Sequence, residues 1–130
     1  AVELGYERMA EKLAACGIDV RRLLVVRAQP AEWAMEQALR SGACDAVLGW
    51  AAFRDSRALR RLQLAAGQAR CLAVIFRQLH AAGEPSPAVL RLALGVSQRG
   101  LEVRILKSRG GRVTSVWLGG LATATQALAH

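Results

Sequence analysis

The sequence predicts an α/β fold, with a parallel sheet flanked by helices and an antiparallel hairpin extending it toward the C-terminus. Three observations carry this. Short β-rich apolar runs alternate with helical patterns from residue 2 to residue 76. Those runs are apolar throughout, as in strands covered on both faces by helices. After Phe76 the pattern switches to a two-residue alternation punctuated by Gly-containing turns. The order is αβαβαβ, then a hairpin and a further strand, which a parallel sheet extended at one edge accommodates.

The first helix is read over Val2 to Cys16. Val2, Tyr6, Met9, Ala10 and Leu13 recur at spacings of three and four, with Glu3, Glu7, Arg8, Glu11 and Lys12 facing away. Gly17 stands where a left-handed cap would end it. The run LLVV within Arg22 to Arg27 predicts the first strand. Pro30 suits the first turn of a second helix, because its missing N–H is not needed there. That helix extends to about Arg40 and is capped by Gly42. Ala31, Ala34, Met35 and Ala38 define its core face, and Glu32 and Glu36, one turn apart, are expected to be solvated.

AVLGW, from Ala46 to Trp50, predicts the second strand. Asp55 or Ser56 caps a third helix from Arg57 to about Ala66, with Ala58, Leu59, Leu62, Ala65 and Ala66 facing in. LAVIF, from Leu72 to Phe76, is the third strand. Residues 78–88 form a loop broken by Gly83, Pro85 and Pro87. Val89–Ser97 and Leu101–Lys107 alternate around a Gln98-Arg99-Gly100 turn. A second turn, Arg109-Gly110-Gly111-Arg112, leads to a last strand over Val113–Leu118. Residues 1–118 therefore read as one α/β domain and residues 119–130 as a small, Ala-rich tail.

Length and composition fit a single domain with a genuine core: 130 residues, 53% hydrophobic, with no apolar run long enough to span a bilayer. The chain starts inside a helical pattern without a start methionine, so it reads as a fragment with residues missing upstream. Cys16, Cys44 and Cys71 form no CxxC pair and lie away from His80 and His130, so small core thiols in a reduced cytoplasm are expected rather than a metal or redox site. Net charge is +8 and uneven: residues 51–130 hold twelve Lys/Arg against three Asp/Glu, and residues 1–50 hold six against seven. Such an excess suits nucleic acid or an acidic protein surface, and equally plain solubility with an arginine-rich codon bias.

Several segments together resemble the recombinase RecA core downstream of its phosphate-binding loop: GIDVRRLLVV, LRSGACDAVLGW, ALRRLQLAAGQARCLAVIFRQ and PSPAVLRLALGVSQRGLEVRILKSRGGR. The resemblance covers about residues 6–115 and implies a RecA-like core. AEWAMEQALRSGACDAVLGW, RALRRLQLAA, PSPAVLRLAL and GLEVRILKSRGG look more specifically like ImuA, a family of RecA-like proteins in bacterial translesion synthesis. The related cell-division inhibitor SulA is resembled mainly over residues 18–77. The hairpin and the KSRGG turn favour ImuA.

The departures from RecA bear on activity. A phosphate-cradling GxxxxGK[ST] loop does not occur in the sequence. The strand that should end in a metal-holding Asp ends in Trp50, and an indole cannot hold Mg²⁺ but fills space. Asp45 lies earlier, as the strand's polar entry. The serines lie in loops, caps or strand exposures without a nucleophile elbow, and no His-based constellation is present. The expectation is a protein without catalysis and without a cofactor or metal.

For a binding protein the informative residues are those that break the burial pattern. Trp33 points nearly opposite the core face of its helix and is a candidate anchor, or else it packs under upstream chain. Arg57, Arg60, Arg61 and Leu64 face outward on the third helix, with Arg54 just before it, and suit an acidic partner or phosphates. The resemblance places Lys107 and Arg109 at two lysines that recombinases direct at a neighbour's nucleotide, and Gln78 at a residue that senses the terminal phosphate. With the metal-binding Asp replaced, these read as remnants or as part of a protein surface together with Arg112. The loop 78–88 stands where recombinases carry a DNA-binding loop, but Arg77 at its base is its one arginine, so only weak, salt-sensitive DNA contact is expected.

The resemblance thus implies a non-catalytic adaptor in SOS-induced translesion synthesis, binding an ImuB-type polymerase-like subunit and RecA. The alternative it leaves is a SulA-type inhibitor of cell division that binds FtsZ. A nucleotide-driven DNA enzyme is the third reading, marked by metal-dependent ATP hydrolysis. No membrane partner is expected.

Overall fold

A computed structural model describes residues 10–53 and 55–118. The protein is mixed α/β, with a two-stranded parallel sheet and a separate three-stranded antiparallel sheet. Helix α1, described over residues 10–15, precedes a 3-10 turn at Val20–Arg22. Then follow α2 (Ala31–Ser41), β1 (Ala46–Trp50), α3 (Ser56–Ala69), β2 (Leu72–Phe76), a 3-10 turn at Leu79–Gly83, β3 (Arg91–Ser97), β4 (Gly100–Lys107) and β5 (Ser115–Leu118). No helix of the described residues is long and apolar enough to cross a membrane.

The chain divides into two compact units. The first, the hairpin unit, has described residues 10–25, 94–104 and 115–118. The second, the helical unit, takes 26–93 and 105–114, Arg54 aside. The helical unit is built on β1 and β2, which pair in parallel from Ala46↔Leu72 to Trp50↔Phe76. α2 and α3 pack on each other and on this sheet. Met35, Leu39, Val47, Phe53, Leu59, Leu62, Ala65 and Cys71 form the core, with Leu39 and Leu62 the most deeply enclosed. The apolar stripes of two helices and one face of the sheet therefore close a two-layer core.

Helix boundaries follow local chemistry. α1 ends through the Ile18 N–H on the Leu13 carbonyl and the Gly17 N–H on the Ala14 carbonyl, with Gly17 at φ +82°. Pro30 is the N-cap of α2, one residue before the expected first turn, and Gly42 closes the helix at φ +68°. Asp55 caps α3, its carboxylate accepting the Arg57 N–H at 2.8 Å. α3 runs three residues past the expected end, through Gly67, and stops at Arg70.

Four expectations need correction. The LLVV segment is not a strand: residues 23–28 belong to no helix or ladder, and Leu24 is 79% exposed. Apolar, β-branched composition favours a strand only where a neighbouring strand pairs with it. β1 and β2 are not covered on both faces among the described residues. β1 alternates, with Val47 and Gly49 buried and Leu48 and Trp50 exposed. The antiparallel hairpin does not extend the parallel sheet but forms its own, in the order β3-β4-β5. Lastly, Leu39, absent from the expected core face of α2, is the centre of the core. The tail 119–130, and the residues Val2, Tyr6 and Met9 of the first helix, lie outside the described residues.

In the hairpin unit, β4 and β5 are antiparallel, with Leu101 opposite Leu118 and Val103 opposite Val116. Gly95 on β3 faces the Glu102 side chain, which leaves Leu94 and Val96 on the other side, with Leu101 and Val103. Gly100 opens β4 at φ +113°, the positive φ expected of this turn.

Candidate functional site

α3 presents a basic outer face. Its buried stripe is Leu59, Leu62 and Ala65, which leaves Arg57, Arg60, Arg61 and Leu64 exposed on the opposite side. Residues three and four apart on a helix are neighbours, so Leu64 (52% exposed) is framed by Arg60 and Arg61, with Arg57 one turn further back. Arg54, read as part of this cluster, lies outside the described residues.

α2 adjoins this face. Trp33 is exposed, as its opposition to the core stripe predicts. Glu36 is not solvated as expected. Its side chain is 13% exposed, and its carboxylate accepts both Arg40 at 2.8 Å and Arg61 at 3.3 Å. The arginine side chains remain more than half exposed, so these pairs orient the arginines more than they stabilise the fold. Glu32 is half-buried.

On its other side α3 meets the loop before β3 and the turn after β4. The Arg60 guanidinium donates to Gln63 Oε1 at 2.9 Å, and Gln63 Nε2 donates to the Pro87 carbonyl at 2.8 Å. Beyond Gln63 opens a crevice of about 230 Å³, lined by Pro87, Ala88 and Val89 and by Lys107, Ser108 and Arg109. Lys107 Nζ donates to the Ser86 carbonyl at 2.9 Å, which fixes the cation on the rim. Arg109 and Arg112 are exposed around Gly110, a turn residue at φ +71°. Two clusters far apart in sequence, Arg57–Leu64 and Lys107–Arg109, are thus brought onto one surface of the helical unit.

Gln63 was not singled out by sequence reasoning, nor was the Pro87–Val89 wall. Gln63 lies at the margin of the apolar stripe of α3, where residues bridge to neighbouring segments. Its partner is 24 positions away, beyond any local pattern.

The loop 78–88 is strapped inward by arginines. Arg77 donates to the Phe53 carbonyl and the Glu84 carboxylate, and its side chain is 18% exposed. Arg91 donates to the Ala81 and Glu84 carbonyls. Both charges are committed to holding the loop, while Gln78 is exposed.

At the end of β1, Trp50 does not fill an enclosed space as expected: it is 69% exposed, and its ring stacks on Phe76 with centroids 4.6 Å apart. The parallel register puts both rings on the sheet face opposite the helices. Among the described residues no group of three or more His, Cys, Asp or Glu is gathered to hold a metal. Of the thiols, Cys71 is buried in the core and Cys44 is half-buried against it, whereas Cys16 is exposed, contrary to the expected core placement. Burial pushes the Cys71 thiol above its ordinary range, and the neighbouring Cys44 and Asp45 add to this.

In comparison with known proteins, the chain matches no family model, no curated protein and no solved structure.

Proposed function

We propose that this chain is a non-catalytic, RecA-like adaptor of a bacterial DNA-damage response, which binds an ImuB-type polymerase-like subunit, and RecA, through the basic surface of α3. The observation that carries this reading is the end of β1. There an exposed indole stacked on Phe76 stands where the resemblance to recombinases expects the carboxylate that holds magnesium. Magnesium is held through carboxylate oxygens and water, and an indole offers neither a charge nor an oxygen. The arginine face of α3 and the exposed Trp33 supply what a docking protein needs instead, long cations and a large apolar side chain held on rigid helices.

The mechanism is occupancy. On this reading the chain takes the place of a recombinase subunit, or bridges polymerase subunits, and no bond is made or broken on it. The test is capture of purified ImuB-type subunit, RecA and FtsZ by the full chain. The reading expects the polymerase-like subunit to be retained, and retention to fall when Arg57, Arg60 and Arg61 are all replaced by Ala. Retention of FtsZ alone, or metal-dependent ATP hydrolysis by the chain, overturns it.

A further inference from the structure

We infer that the basic surface of α3 takes an acidic protein segment carrying apolar residues at intervals, and not a nucleic-acid backbone. This deepens the adaptor reading and rests on it for the place of the site.

The distribution of charge and apolar area over the surface carries the inference. A phosphate backbone is matched by a continuous track of cations with hydrogen-bond donors between them. Here the cations are arranged around two apolar spots. Arg57, Arg60 and Arg61 frame Leu64, which is half exposed on a well-formed helix. Lys107 and Arg109 rim a crevice whose wall is Pro87, Ala88 and Val89, with Val89 49% exposed. Gln63 joins the two spots, bonded to Arg60 on one side and to Pro87 on the other.

Carboxylates at the margins point the same way. Glu36 sits between Arg40 and Arg61 and takes up part of their charge. Asp55, exposed at the cap of α3, stands beside Arg57. Both would repel a line of phosphates. A peptide can avoid them, because its own carboxylates are spaced and its apolar side chains can lie between them. The complement of this surface is therefore a segment in which leucine-like residues meet Leu64 and the crevice wall while Glu or Asp side chains meet the five cations. Arginine pairs well with carboxylates in this way, through its planar fork of donors.

The test uses the full chain and fluorescence anisotropy with three labelled probes. The first is an acidic peptide with leucine at every third or fourth position and glutamate elsewhere. The second is the same peptide with serine in place of leucine. The third is an oligothymidylate of equal net charge. The inference expects the leucine peptide to bind about tenfold more tightly than the serine peptide, and more tightly than the oligonucleotide at the same ionic strength. Leu64→Ser should weaken the leucine peptide about tenfold and leave the oligonucleotide unchanged. Arg60→Glu with Arg61→Glu should abolish peptide binding. All three positions are solvent-exposed, and circular dichroism of the variants checks that the fold is kept.

Tighter binding of the oligonucleotide, or equal binding of the two peptides, overturns the inference. The capture experiment separates it from the adaptor reading. If the polymerase-like subunit is retained equally by the wild type and the Leu64→Ser variant, the inference falls and the reading stands. If the leucine peptide binds as expected but the subunit is not retained, the reading falls and the chemistry of the surface stands.

Discussion

The helical unit and the hairpin unit use the same kinds of apolar residue with opposite results. Every buried hydrophobic residue among the described residues, from Met35 to Ala93, belongs to the helical unit. In the hairpin unit, Leu94, Val96, Leu101, Val103, Val116 and Leu118 share one face of a single antiparallel layer. Not one of them is buried, and Val96 is 74% exposed. Among the described residues, the difference lies in the second layer. α2 and α3 bring apolar stripes against the sheet of their unit, so each side chain removes area from water on both partners. Alternation along a strand specifies which residues share a face, but not what covers it.

The sharpest way to break this comparison is to truncate one leucine in each unit. Leu39→Ala or Leu62→Ala empties a closed site, and the expected loss is about 2–5 kcal/mol. Leu94→Ala or Leu118→Ala removes a side chain that water already reaches, and the expected loss is about 0.5 kcal/mol. Urea unfolding followed by far-ultraviolet circular dichroism measures both. Equal losses would show that the hairpin face is covered in solution.

A smaller effect tests how tightly the helical unit is packed. Gly49 lies on the core face of β1, where a Cβ would run into the Met35 thioether. Gly49→Ala should therefore cost about 1–3 kcal/mol, as overpacking does. In a Met35→Ala background the added methyl enters vacated space, so the same substitution should cost nothing there. Additive losses in that double-mutant cycle would place the strain elsewhere.

Much of this fold was legible in the sequence, and what was missed has a common cause. Helix ends were readable because they depend on nearby residues: Gly17, Gly42 and the Asp55 cap each act within a turn. The outward arginines of α3 followed from the 3.6-residue period alone. LLVV misled because its composition is that of a strand while strand formation needs a partner that no local pattern reveals. The same holds for the site. Arg57, Arg60, Arg61 and Leu64 were visible as one face, and Lys107 and Arg109 as a separate turn. That Gln63 and Pro87 join them is a contact across 24 residues. Glu36, one helical turn from Glu32, was read as solvated, and only packing of α2 on α3 brings Arg61 to it.

Next in size is the cap of α3, on which the arginine face depends. Asp55→Ala removes the carboxylate that accepts the Arg57 N–H and should cost about 1 kcal/mol. Asp55→Asn, which keeps an oxygen acceptor, should restore most of it. A loss as large as that of Leu62→Ala would mean that the start of α3 is held by more than its cap.

The thiols give the finest contrast, because they sort positions by access without altering the core. Cys16, exposed after the end of α1 in the hairpin unit, should react first with a thiol reagent at pH 8. Cys44 is half-buried and should follow. Cys71 is enclosed in the core of the helical unit, and burial raises its thiol, so less thiolate is present at any pH below its titration. It should react last, and at a rate that rises with urea in step with unfolding. The sign of the pH dependence follows from the same shift. A folded-state thiol raised above its unfolded value contributes stability below the ordinary thiol range and loses it as pH climbs through the raised value. Labelling of Cys71 as fast as Cys16 in native buffer would mean that the helical unit opens locally, and that its advantage over the hairpin unit is smaller than the buried core implies.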